Sequence, residues 1–149
     1  MLTKFVMRTS HKHAFTLVEL MIVVVILGVL AAIVIPQFST AASEASENAL
    51  KANLRNVRQQ IVLYKQEHNG YPTLANFSDQ LLLLSTKDGS TAAVGTSGYP
   101  LGPYLQKIPK NPYTGNNSVG DGAIGSSDWY YDESTGDFAA NDHADRADY

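Results

Sequence analysis

Residues 15–35 read FTLVELMIVVVILGVLAAIVI, and among them only Thr16 and Glu19 carry polar side chains. A helix rises about 1.5 Å per residue, so this run makes a rod about 31 Å long, which matches a hydrocarbon core of roughly 30 Å. The apolar core of a secretory signal peptide is about 7–15 residues; this run is longer, although Leu30-Ala31-Ala32 imitates a small-residue cleavage site. A membrane anchor accounts for the length but not for Glu19. A charge at the centre of such a helix costs roughly 2.5–3.5 kcal/mol, less near the edge, where Glu19 lies. An acid inside a membrane span calls for a named partner. One reading of it is a carboxylate that snorkels to the headgroups.

Working outward, the residues before the run are basic. Lys4, Arg8 and Lys12, with His11 and His13, precede it without one acid. Such flanking bases hold an N-terminus in the cytoplasm and place the rest of the chain beyond the inner membrane. The far end has the opposite character: Asp121, Asp128, Asp132, Glu133, Asp137, Asp142, Asp145 and Asp148 face one base, Arg146. A basic head and an acidic tail on a chain of 149 residues imply one modest domain divided between two environments. No basic patch with interleaved aromatics occurs in the C-terminal part, so the head is not expected to bind nucleic acid. With no cysteine there is no thiol catalysis, zinc-thiolate site or disulfide. No HExxH, no Gly-rich phosphate loop and no arguable Ser-His-Asp set is present, and the reading is of a protein that is not an enzyme.

After the run comes Pro36, eight residues beyond Gly28. Proline inside a helix removes a hydrogen bond and kinks the chain, and glycine weakens a helix by roughly 1 kcal/mol relative to alanine. The helical pattern nevertheless resumes. Leu50, Leu54, Val57, Ile61 and Tyr64 recur at alternating steps of four and three, one stripe of an amphipathic helix. Glu47 and Lys51 form a favourable i,i+4 pair. Asn69-Gly70 stops the helix, and Tyr71-Pro72 follows. Residues 74–84 predict a second, short helix. Residues 85–98, rich in Gly, Ser and Thr, predict a loop. Pro109 and Pro112 exclude a central strand, and Thr114-Gly115-Asn116-Asn117 reads as a turn. Residues 128–132 and 137–140 flank Glu133-Ser134-Thr135-Gly136 and predict a β-hairpin. Trp129 or Tyr131, with Phe138, is expected to pack on the helix stripe. The fold class is therefore α+β: a long N-terminal helix and a small antiparallel sheet.

The stretch Lys12-His13-Ala14-Phe15-Thr16-Leu17-Val18-Glu19 resembles the processing site of type IV pilins and type II secretion pseudopilins. The resemblance implies a pilin-like fold, cleavage by a prepilin peptidase between Ala14 and Phe15, and methylation of the new Phe15 amine. The family normally has Gly before the cut; Ala14 is the next smallest residue. It also implies a partner for Glu19, the Phe15 amine of a neighbouring subunit, each charge offsetting part of the other's desolvation. Filament subunits of the family lose helix between positions like Gly28 and Pro36, so a helix break is expected there. The chain then divides into a basic leader (1–14), a transmembrane and filament-core helix (15–35), its amphipathic continuation (36–68) and a head (69–149).

Tyr64-Lys65, Gly70-Tyr71-Pro72-Thr73 and the run from Tyr104 to Tyr113 are similar to the secretion branch, whose usual Asp-Pro-Trp-Gly stands here as Asn111-Pro112-Tyr113-Thr114. That branch implies a pseudopilus subunit in the inner membrane and then in a filament. Its partners would be other copies of the chain, minor pseudopilins, the peptidase and an inner-membrane assembly platform. The alternative is a type IV pilin for adhesion, twitching or DNA uptake. A third reading is a lone membrane-anchored binding module. Resemblance also raises calcium, with Asp142 and Asp145 as ligands beside Asn141, His143 and Asp148. Calcium takes six to eight oxygens, and such a site would stabilise a head that lacks disulfides. An acidic, partly disordered tail is the competing reading.

Overall fold

The computed structural model describes residues 15–147 and 149, with the backbone alone at Pro36 and Ser39. The leader assigned to residues 1–14, with Ala14, and also Asp148 lie outside the described residues. Two compact units are present, Met1–Ala41 and Ala42–Tyr149. One helix, α1 (Leu17–His68), contributes to both.

In the first unit every described side chain is exposed, from Phe15 at 79% to Val34 at 42% among the large apolar residues. A helix this apolar and this bare needs an apolar medium or a partner. It is long and apolar enough to cross a membrane. It also runs without interruption through Gly28 and Pro36. The break that the resemblance implies belongs to filaments; in the single chain the helix is continuous. Proline deletes one backbone hydrogen bond, and the bonds of the neighbouring turns keep the helix continuous.

The second unit is built on the C-terminal half of α1. Leu50, Leu54, Val57, Ile61 and Tyr64 are all at most 2% exposed, so the stripe is the core face. The helix ends where Asn69 takes φ 60, the left-handed conformation Asn tolerates at a helix C-terminus. His68 reinforces that end: Nδ1 lies 2.9 Å from the Tyr64 carbonyl oxygen and Nε2 2.9 Å from Ser85 Oγ. A carbonyl only accepts, so Nδ1 carries a proton; in a neutral ring the serine hydroxyl then donates to Nε2.

A one-turn 3-10 segment (Leu74–Asn76) leads into α2 (Phe77–Leu82), as the sequence predicts. The stretch read as a loop is more ordered than that. β2 (Thr91–Ala92) lies within it and pairs antiparallel with β1 (Leu84–Ser85), whose Leu84 stands in a strand where the sequence predicts the end of the second helix. The predicted hairpin is present as β4 (Trp129–Tyr131) and β5 (Phe138–Ala140), antiparallel, with Tyr131 opposite Phe138. The sheet is mixed, however, since β3 (Val119–Gly120) pairs parallel to β4. The cause is local. Asp128 Oδ2 accepts from the Ser118 backbone N–H at 2.8 Å, and this tie brings the start of β3 alongside the start of β4.

Trp129, Tyr131 and Phe138 are all at most 1% exposed and close over the helix stripe with Phe77 and Leu81. Phe77 lies 4.4 Å from Tyr131 and 5.8 Å from Phe138 between ring centroids. The polar ends of the buried aromatics are satisfied: Trp129 Nε1 donates to the Pro109 carbonyl at 2.9 Å and the Tyr131 hydroxyl to the Pro72 carbonyl at 2.7 Å.

Candidate functional site

The sequence singles out two places, the start of α1 and the C-terminal segment. At the first, Thr16 and Glu19 make a reciprocal cap. Glu19 Oε2 accepts from the Thr16 backbone N–H at 2.9 Å and from its hydroxyl at 2.8 Å. Thr16 Oγ1 accepts in turn from the Glu19 N–H at 3.1 Å. This is a capping box, Thr at the cap and Glu three residues on, and it explains why the helix begins at Leu17. A carboxylate in the first turn also faces the positive end of the helix dipole. Glu19 therefore has a partner inside its own chain, Thr16, which the sequence reading passed over although Thr-x-x-Glu spells the motif. Phe15 precedes the cap, 79% exposed. Gly28 has open space beside it, with nothing but its own turns of helix near where a Cβ would lie.

At the second place Asp142 and Asp145 face different surroundings. Asp142 turns inward: its side chain is 4% exposed and its Oδ2 is paired with Arg146. Asp142 Oδ1 accepts from Asn111 Nδ2 at 2.8 Å and Oδ2 from Arg146 Nε at 2.8 Å. Asp145 turns outward, 85% exposed, 3.4 Å from His143 Nδ1. Asn141 spends its amide on Ser127 Oγ and the Ala123 carbonyl. Burial works to raise the Asp142 carboxyl, but the bonds from Arg146 and Asn111 and the Arg146 charge outweigh it and hold the group below the usual carboxylate range. Among the described residues no group of three or more His, Asp or Glu could hold a metal ion. As arranged, Asp142 and Asp145 do not fit a calcium ion: one carboxylate is engaged by N–H donors and the other points away.

The remaining C-terminal contacts fasten the chain end to α1. Arg58 donates to the Phe138 carbonyl at 2.7 Å and also to the Tyr149 backbone oxygen. The Tyr149 hydroxyl donates to Glu47 at 3.2 Å, and the Lys51 ammonium stands 4.5 Å from the centre of its ring.

A long helix, apolar and then amphipathic, a small α+β head and an acid in the first helical turn together define a pilin-like subunit. Residues 9–35 match the prokaryotic N-terminal methylation motif. The type II secretion system core protein G of Aeromonas hydrophila is 30% identical over 107 residues, covering 72% of this chain and 71% of that one. That of Pseudomonas aeruginosa is 30% identical over 107 residues, 72% of each chain, and that of Vibrio cholerae 30% over 106 residues, 71% and 68%. The chain belongs to the type II secretion system core protein G family. These relatives favour the secretion reading over the type IV pilin. No solved structure matches the chain.

Proposed function

We propose that this chain is the building block of a secretion pseudopilus, a periplasmic filament whose growth drives protein export. The precursor sits in the inner membrane with its basic leader in the cytoplasm and its head in the periplasm. A prepilin peptidase cuts between Ala14 and Phe15, and the new Phe15 amine is methylated. Copies of the chain, with minor pseudopilins, then pack on an inner-membrane platform through their apolar helices. This reading assigns the chain no catalytic step.

The observation that carries the reading is an apolar helix bare at every described side chain of its first half, with one acid at its start. In the single chain Glu19 is met by Thr16. In a filament it would turn to the Phe15 amine of a neighbour, cationic at neutral pH. Each buried charge then offsets part of the other's desolvation. Helix would be given up between Gly28 and Pro36 only on assembly, where neighbouring helices supply contacts that the single chain lacks.

The mass of the mature protein tests the processing. It should correspond to a chain beginning at a methylated Phe15; an intact Met1 in assembled material would sink the proposal. Glu19→Gln should be cleaved normally and fail to form filaments. Deletion of the gene should abolish secretion of exported enzymes and leave surface motility intact; the reverse pattern would favour a type IV pilin.

A further inference from the structure

We propose that the Arg146 guanidinium occupies the place beside Asp142 that a divalent cation would need, so that the C-terminal segment of this chain is closed without metal. The geometry is that of a clasp. Asp142 sits one helical turn before Arg146, and the one-turn 3-10 segment Ala144–Arg146 folds the guanidinium back onto it. Arg146 presents two N–H groups to Asp142 Oδ2, from Nε at 2.8 Å and from one terminal nitrogen. While its edge meets Asp142, the guanidinium covers the Tyr113 ring, 4.0 Å from the ring centre. Asn111, itself fully buried, holds the opposite oxygen of Asp142 and ties the same side chain to the Asp128 carbonyl at 3.1 Å and to the Tyr113 N–H at 2.9 Å.

Three consequences follow from this arrangement. Both Asp142 oxygens already accept hydrogen bonds, so a cation would have to displace Arg146 or Asn111. Displaced, the arginine would remain on Tyr113 as a positive charge next to a positive ion. The neighbouring acid, Asp145, points to solvent and offers no second carboxylate to the same spot. A planar cation with fixed N–H directions therefore does the joining that a metal or a disulfide would do in a chain without cysteine. The inference stands apart from the secretion reading, since it concerns only how the head is closed.

The test uses the full chain in detergent. The single tryptophan, Trp129, is fully buried in the head, and its emission reports unfolding. Melting in a chelator and in millimolar calcium should coincide, because only a ligand of the folded form raises the melting temperature. Arg146→Gln should lower it by about 5 °C or more, since it leaves a buried carboxylate unpaired. Arg146→Lys should recover part of that loss, restoring the charge without the fork. Asp142→Asn combined with Arg146→Gln should cost less than the two single losses added together. Calcium that stabilises Arg146→Gln alone would support the proposal, the ion then taking the vacated place. Calcium that raises the melting temperature of the unaltered chain by several degrees overturns it, as does an additive pair of substitutions. The calcium comparison on the unaltered chain decides even if Arg146→Gln does not fold.

Discussion

Gly136 closes the turn between β4 and β5 at φ 80, and a Cβ there would lie 2.2 Å from Cε1 of Tyr71. That ring is partly buried and packed against the core. Its hydroxyl accepts from Lys65 Nζ at 2.8 Å, and the same ammonium stands 4.0 Å from the ring centre. Left-handed backbone costs an L-residue about 1–2 kcal/mol, and the collision adds to it. Gly136→Ala should thus destabilise the head by about 2 kcal/mol or more, seen as an early loss of buried Trp129 emission on heating. A change within error would mean that the turn rearranges without loss.

Asp142 and Asp128 contribute to the acid limit of the head. Burial raises each group, but hydrogen bonds overcome it, from Arg146 and Asn111 at Asp142 and from Ser118 at Asp128. Both carboxyls are lowered in the folded state. The stability they contribute is fully present above the unfolded carboxylate value of about 3.9 and is lost as pH falls from there through the lowered folded values. Denaturant titrations of the head should therefore change little between neutrality and pH about 5 and weaken steeply below about 4. Asp142→Asn should be weaker at neutrality yet flatter through that acid range. An Asp142→Asn chain with the same acid slope would show that the residue is not paired in solution.

At the scale of elements, the apolar docking of α1 on the head runs along one stripe. Leu54 is 1% exposed in that stripe, whereas Val62, two turns on, is 51% exposed. Leu54→Ala should cost about 2–5 kcal/mol, and Val62→Ala should stay within about 0.5 kcal/mol, both read from denaturant midpoints. Equal effects would mean that the helix docks through a different face. This element was legible in the sequence because five large apolar residues at helical spacing have only one common side. The hairpin was legible for a like reason, two aromatic runs around a Gly-ended turn. β2 and β3 were not. Each is two residues long, too short to show an alternation, and β3 is placed by a distant residue, Asp128, through Ser118. The Asp142–Arg146 clasp was hidden similarly: the spacing of four was in view, but its worth depends on Asn111 and Tyr113, some thirty residues away in sequence. The candidate site at the helix start was legible as a motif, and its capping chemistry was spelled in the same four letters, Thr16 to Glu19.

For the whole molecule, the two units differ in what they require of their surroundings. The first offers Leu17, Val18, Leu20, Met21 and Ile22 to the outside at 53–73% exposure, and none of its described side chains is buried. The second contains every buried apolar residue of the core, from Leu50 to Ala140. Its packing, its sheets and its C-terminal clasp all lie within Ala42–Tyr149. A fragment of residues 42–149 should therefore fold without detergent and remain monomeric. It should melt cooperatively, and its Trp129 emission should match that of the full chain. The first turns of its shortened helix should fray, because a helix end leaves four N–H groups unpaired, but the stripe begins at Leu50, two turns further in. The full chain without detergent should instead associate through the bare segment. Size-exclusion chromatography and fluorescence melting of the two forms provide the comparison. A fragment that opens at room temperature would mean that the apolar segment contributes to the stability of the head; a full chain that stays monomeric in plain buffer would mean that its apolar surface is covered from within.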